Sequence, residues 1–291
     1  MARPPQASKL EDVVGAGGSP PAHGSPGPPL DRGGTTGGAP APAAAPPPSL
    51  VLPALPDVKV RSGHRLEHKT VVIFGPVGIG KSTMASEWAG GNVFFWDVSG
   101  ELNDLEVYKS ADPPIRDWDG FRLWCASIVK DHDKYEAGVI DTCSTLDDMV
   151  SAFTNKKLGI AHESDADWGK GWKEVRKEFS LALAKLAAIP HFGIVMIFQA
   201  QDIEIKERSR AYHRMVPAAS KGVREPAVEI ADLVIYCDWK ETEDGISRVM
   251  RTKPSIYWEA KERGQNPRLP EEIEWPLGTS GWDILKAYYE E

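Results

Sequence analysis

Cysteine is scarce: Cys125, Cys143 and Cys237 are the three among 291 residues. They lie far apart, so no metal-binding spacing forms, and an odd number leaves no closed disulfide framework. Reduced, mostly buried thiols are expected, as in a cytoplasmic protein. Long apolar runs are missing too. No stretch approaches the roughly 18 to 20 apolar residues of a membrane span, and the N-terminus lacks a charged-then-apolar leader. Neither secretion nor membrane insertion is expected. Excess positive charge is also absent, the net charge being −8. A globally acidic protein does not wrap nucleic acid through bulk charge, which leaves room only for a local basic site.

Residues 1–50 have almost no large apolar side chains and are rich in Pro, Gly, Ala and Ser. Such a segment cannot bury enough surface to offset the entropy of ordering it. It is expected to be a disordered tail, either a linker or a partner-binding tether. Arg3, Lys9 and Arg32 balance Glu11, Asp12 and Asp31, so the acidity belongs to residues 51–291. That remainder suits a single α/β domain.

Within that domain, Thr70–Phe74 is short, β-branched and apolar, as a buried parallel strand requires. A helix is expected over 81–90, closed by Gly90-Gly91, then a strand over 92–97. A helix over 119–130, a strand over 137–141 and a helix over 145–156 come next. The clearest amphipathic helix spans 172–188, with Val175, Phe179, Leu183 and Leu186 on one face and Pro190 beyond its end. Gly193–Phe198 reads as a strand, 199–226 as a polar, charged stretch and Leu233–Cys237 as another strand. Asp244-Gly245 reads as a hairpin turn into 246–252, and a short helix is expected over 282–289. Alternating strands and helices imply a mainly parallel sheet covered on both faces, with an antiparallel C-terminal extension.

The chemistry concentrates in Gly75-Pro76-Val77-Gly78-Ile79-Gly80-Lys81-Ser82, which matches the phosphate-loop pattern G-x-x-x-x-G-K-S. Glycines let the backbone curl so that successive N–H groups face phosphate oxygens. Lys81 would reach the β- and γ-phosphates and the Ser82 hydroxyl would bind Mg²⁺, with Thr83 also in the nucleotide-binding set. The position between a predicted strand and a predicted helix supports the match. Such a site needs an acid at a neighbouring strand end to complete the Mg²⁺ shell. Asp141 is the leading candidate, with Asp97 competing. Asp97 and Glu101 are candidates for polarising the attacking water. Gln199 and Gln201 follow a strand end, where ligands of parallel sheets bind, and Gln199 could sense the γ-phosphate. The stretch 205–224 gathers Lys206, Arg208, Arg210, Arg214, Lys221 and Arg224 against Glu207, with Tyr212 and His213 interleaved. Positive charges for a backbone and a ring for a base suit single-stranded nucleic acid. A solvated loop has the same composition. Trp168 and Trp172 could stack on bases or pack in the core.

The order of these motifs resembles the RecA-like recombinase ATPases, and among them the short single-domain bacteriophage proteins that assist single-strand annealing. The resemblance rests on the phosphate loop, on Val139-Ile-Asp-Thr-Cys-Ser-Thr-Leu146 as the metal-binding strand, and on Ile197-Phe-Gln-Ala-Gln201. Lys261-Glu-Arg-Gly264 and Arg268-Leu-Pro270 are similar to the basic segment of the phage branch. The resemblance covers about residues 56–275 and implies a RecA-like core, ATP and Mg²⁺ as ligands, single-stranded DNA as partner, and a ring or filament. It also implies work in a bacterial cytoplasm if the protein is phage-encoded, and a basic residue supplied in trans, for which Lys253, Arg263 and Arg268 are candidates. One departure stands out. The family places a glutamate two residues after the second strand's aspartate, and here that position is Ser99; Glu101 could substitute by a loop shift. Two other readings compete with a DNA-stimulated ATPase: a P-loop kinase of a small metabolite, with 205–224 as its lid, and a nucleotide-dependent adaptor that does not hydrolyse.

Overall fold

β-Branched and aromatic residues fill Thr70–Gly75 (β1), and all but the first are buried. A strand covered on one face would alternate with polar residues; this one does not, because both of its faces are packed. The computed structural model describes residues 65–166, 169–207, 210–242, 245–264 and 267–290. The expected tail over 1–50, the expected domain start at 51, Trp168, Arg208 and Asp244 lie outside the described residues.

β1 pairs in parallel with Gly193–Lys206 (β5) on one side and Leu233–Thr242 (β7) on the other. Beyond β5 the parallel sheet continues through Ala137–Asp141 (β4), Val93–Asp97 (β2) and the short Tyr108–Lys109 (β3). Beyond β7 it becomes antiparallel, through Gly245–Arg251 (β8) and Glu272–Trp275 (β10). Lys261–Glu262 (β9) pairs antiparallel with the start of β7. This is the expected architecture, a mainly parallel sheet with an antiparallel C-terminal extension.

Period-two alternation divides the strand residues between two cores. Val72, Phe74, Phe94, Trp96, Met196 and Phe198 face one side. There they meet Trp118–Lys130 (α2), Cys143–Leu158 (α3), Lys170–Ala187 (α4) and Lys221–Ile230 (α5). Val71, Ile73, Val93, Phe95, Val195 and Ile197 face the other side. They are covered by Lys81–Ser86 (α1), Gly281–Glu290 (α6) and the side chains of β10. In α4 the predicted stripe is buried as expected, Val175, Phe179, Leu183 and Leu186 lying within the first core.

Two departures from expectation bear on the site. The helix after the phosphate loop ends at Ser86 rather than near 90, because Ala89, Gly90 and Gly91 all take positive φ (53°, 70° and 85°), which an α-helix cannot include. The polar, charged stretch 199–226 is largely regular structure. β5 runs on to Lys206, turns, and pairs antiparallel with Ala211–Pro217 (β6) from Ala200↔Pro217 to Lys206↔Ala211. α5 comes after it.

Candidate nucleotide site

Gly75 ends β1 directly against β7. A Cβ there would overlap the carbonyl oxygen of Cys237, so only glycine lets the two strands lie this close. The chain then curls through Gly78 (φ 77°) and Gly80 (φ 101°), conformations that side chains disfavour. Val77 stands at the crest, 80% exposed, while Ile79 is fully buried and anchors the loop on the second core. Gly80 caps α1 without a side-chain hydrogen bond, so no cap competes for the first N–H groups of the helix.

Lys81 is buried. Its Nζ donates to the carbonyls of Gly75 (3.0 Å) and Pro76 (2.8 Å) and to Gln199 Oε1 (3.2 Å). Burial pulls the ammonium below its usual range, opposed by the Asp141 carboxylate. The in-register pairing Gly75↔Gln199 places Gln199 at this spot, and its backbone N–H donates to Ser144 Oγ at the start of α3. Gln199 therefore joins the phosphate-loop lysine to the outer half of β5.

Ser82 Oγ donates to Asp141 Oδ2 at 2.6 Å. Asp141 is 3% exposed. Burial raises its carboxyl above the usual range, the Ser82 bond and Lys81 pull it down, and Asp97 and Glu101 push it further up. A hydroxyl beside a carboxylate with no salt-bridge partner among the described residues is a donor set that fits Mg²⁺, which takes one or two protein oxygens and fills its shell with phosphate and water. Among the described residues no group of three or more His, Cys, Asp or Glu could hold a metal ion by itself.

Asp97 lies beside Asp141 in register on β2. Its Oδ1 accepts the Gly100 N–H (2.9 Å) and its Oδ2 takes Lys109 Nζ (3.0 Å). Both oxygens are thus occupied in folding the loop after β2. That loop brings Ser99, Glu101 and Asp104 to a cavity of about 320 Å³, which Gly78, Gly80, Lys81, Ser82, Thr83, Asp141 and Gln199 also line. Of the expected phosphate-loop residues, Gly75, Pro76 and Ile79 stand behind the cavity wall and act through their backbone.

The expected basic loop is instead two elements. Lys206, Arg210, Tyr212 and Arg214 belong to the β5–β6 hairpin, while Lys221 and Arg224 lie on α5. Its positive excess is also reduced: Lys206 pairs with Glu204 (3.0 Å), Arg210 with Glu207 (2.8 Å) and His213 with Asp202 (3.0 Å). The Arg210 guanidinium covers the Tyr212 ring at 5.2 Å. Arg214 Nε is buried without a hydrogen-bond partner among the described residues. α5 is fixed to α3, since Asp147 accepts both the N–H (2.5 Å) and the hydroxyl (2.8 Å) of Ser220. Trp172, on α4, is 39% exposed and packs edge-on against His162. The candidates for action in trans are engaged within the chain: Lys253 with Glu262 (2.6 Å), Arg263 with Asp232 and the Glu229 carbonyl, and Arg268 with the Tyr289 carbonyl (2.6 Å).

Three residues had no motif to announce them. Lys109 neutralises Asp97 from a two-residue strand. Tyr257, 57% exposed, sits on a segment hydrogen-bonded to β6 through Met215 N–H to the Tyr257 carbonyl (2.8 Å). Arg248 lies under the phosphate loop, and its alternating position in Ile246–Arg251 was the one signal available.

No curated protein matches the chain. Among solved structures the fold is similar to a KaiC-like protein from the hyperthermophilic archaeon Pyrococcus horikoshii OT3, at 14% identity over 72% of this chain and 86% of that one, with a TM-score of 0.38. Among the described residues no helix is long and apolar enough to cross a membrane. The model of the AAA domain family matches residues 67–264, which take in the phosphate loop, Asp141, Gln199 and the hairpin. By that match the chain belongs to the AAA domain family, a P-loop ATPase type.

Proposed function

We propose that the protein hydrolyses ATP with Mg²⁺ and uses the cycle to bind and release single-stranded DNA, in the manner of the phage annealing and recombination ATPases it resembles. The observation that carries this reading is the Lys81–Gln199 hydrogen bond. Gln199 touches the lysine that would meet the γ-phosphate, and the same strand continues without a break into the hairpin of Tyr212 and Arg214. A shift of Gln199 on phosphate binding would move the hairpin's base, where Ala218 N–H donates to the Gln199 carbonyl at 2.7 Å.

In this reading Lys81 exchanges its carbonyl partners for phosphate oxygens, and the backbone N–H groups of Gly78–Ser82 hold the β-phosphate. Ser82 and Asp141 would hold Mg²⁺, which would supply positive charge to stabilise the phosphate oxygens. With both Asp97 oxygens engaged by Gly100 and Lys109, the acids that this loop brings to the cavity are Glu101 and Asp104, and in this reading Glu101 orients the water. The buried free thiols suit a cytoplasmic setting. Ring or filament assembly is part of the same reading.

The test is ATP turnover with and without single-stranded DNA, run beside a sizing experiment. Lys81→Ala is expected to abolish turnover, and DNA to raise it in the wild type. A flat response to DNA would sink the recombinase reading. A phosphorylated small molecule as product would favour a kinase, and tight ATP binding without phosphate release a nucleotide-gated adaptor.

A further inference from the structure

Arg248 is 8% exposed, on a strand that takes no part in the phosphate loop. Its guanidinium lies 3.9 Å from the centroid of the buried Trp275 ring. Nε donates to the Trp275 carbonyl (3.2 Å), Nη2 to the Pro276 carbonyl (2.8 Å) and Nη1 to the Ile79 carbonyl (3.3 Å). All three partners are neutral, so none balances the charge. Glu87 attracts it through space, while the Glu87 carboxylate receives the Ser280 hydroxyl at 2.8 Å. A buried arginine ordinarily faces a carboxylate. This one faces the back of the loop whose front would hold phosphate.

The bond to Ile79 has a geometric consequence. In a planar trans peptide the C=O and the following N–H point in opposite directions. Holding the Ile79 carbonyl toward Arg248 therefore turns the Gly80 N–H away from it, and Gly80 lines the cavity. The glycine serves this contact as well as its positive φ, because a Cβ at position 80 would come within 2.7 Å of Arg248 Nη1. A side chain there would push the guanidinium off the carbonyl it holds.

We infer that Arg248 is a positioning residue for the phosphate loop: it locks the Ile79–Gly80 peptide with its N–H toward the ligand and supplies from behind a buried positive charge that an anionic polyphosphate completes. It is not a catalytic residue, since it touches the loop and not the reacting atoms. The inference rests on Gly75–Ser82 being a nucleotide site. It adds that the antiparallel extension, β8 and β10 with Pro276, is part of that site's construction and not an appendage of the sheet.

The test is equilibrium binding of ATP, ADP and inorganic pyrophosphate to the full chain, as wild type, R248K and R248M, with a thermal melt of each protein without ligand. Lysine keeps the charge but cannot hold three carbonyls in one plane. R248K is therefore expected to bind all three ligands about tenfold more weakly while melting close to the wild type. R248M, which also loses the charge, is expected to bind more weakly still. Pyrophosphate isolates the loop because it has no base or sugar, so a comparable loss for it and for ATP places the effect at the phosphates. Wild-type affinity in R248K overturns the inference, and so does a lowered melting temperature with unchanged affinity, which would make Arg248 a packing residue. If R248M does not fold, R248K decides alone. If the wild type binds none of the three ligands, the nucleotide-site reading itself fails, an outcome separable from the others because it appears before any substitution.

Discussion

Asp141 ends β4 with its carboxylate buried, bonded to Ser82 and under repulsion from Asp97 and Glu101. Its position, one residue before the helix-starting segment Thr142–Cys143, is dictated by the strand rather than by local preference. The raised carboxyl fixes the sign of a stability effect. A carboxyl whose folded value exceeds its unfolded one costs nothing below the ordinary carboxylate range, where both states are protonated, and destabilises the fold once pH exceeds the folded value. Asp141→Asn removes that cost and keeps an oxygen to accept the Ser82 hydroxyl. The nucleotide-free variant is therefore expected to melt above the wild type at pH 7, with the gap closing as pH falls toward about 4. The same variant should lose the extra stabilisation that Mg²⁺ gives in the presence of ATP. Melting curves across that pH range, with and without Mg·ATP, check both halves. A variant that melts below the wild type at pH 7 would show that the carboxylate stabilises the empty site. Function kept at the expense of stability is the pattern expected where a charge waits for its ligand.

At the scale of elements, the β5–β6 hairpin is where the sequence misled. Asp202-Ile203-Glu204-Ile205-Lys206 alternates strictly, a strand signal, yet its charges made the whole stretch read only as polar and charged. What makes it a strand is pairing with β6, Ile203↔Arg214 and Ile205↔Tyr212 sharing one face, and non-local pairing is not visible in a local window. Local signals sufficed where the chain is locally determined: β1 from its double-sided burial, α4 from its stripe, the phosphate loop from its glycines. Asp141 and Gln199 were legible because a parallel sheet puts strand ends at the ligand side. Arg248 and Lys109 were not, because their partners lie far along the chain or in a two-residue strand. The hairpin also changes the DNA prediction. In the proposed reading, with Lys206, Arg210 and His213 each facing an acid, phosphate contact on the hairpin would fall mainly to Arg214 and base stacking to Tyr212. Tyr212→Ala with Arg214→Ala is expected to weaken single-stranded DNA binding about tenfold and to lower the slope of log affinity against log salt by about 1. A salt titration by fluorescence anisotropy reads both, and an unchanged slope would move the DNA site off the hairpin.

For the molecule as a whole, the question is whether the two cores on either side of the sheet open together. Three thiols report on it. Cys143 lies on the side of α2–α5 and Cys237 on the side of α1 and α6, both fully buried, while Cys125 on α2 is 7% exposed. Burial pushes the Cys237 thiol up to about 12 and those of Cys143 and Cys125 up as well, so none presents a thiolate while the fold is closed. Alkylation therefore requires opening. Cys143 comes two residues after Asp141, and the Cys237 carbonyl abuts Gly75, so each face has one reporter next to the nucleotide site. A ligand that binds only the folded form at 100 times its Kd stabilises it by about 2.7 kcal/mol, which slows labelling through global opening roughly 100-fold. Mg·ADP is expected to slow Cys143 and Cys237 together by about that factor, and Cys125 by less, because the outer side of α2 can open alone. Mass spectrometry of alkylated peptides over a time course separates the three sites. If Cys237 slows while Cys143 does not, the sheet does not bind its two faces into one cooperative unit, and the strand-borne coupling from Gln199 to the hairpin loses its mechanical basis.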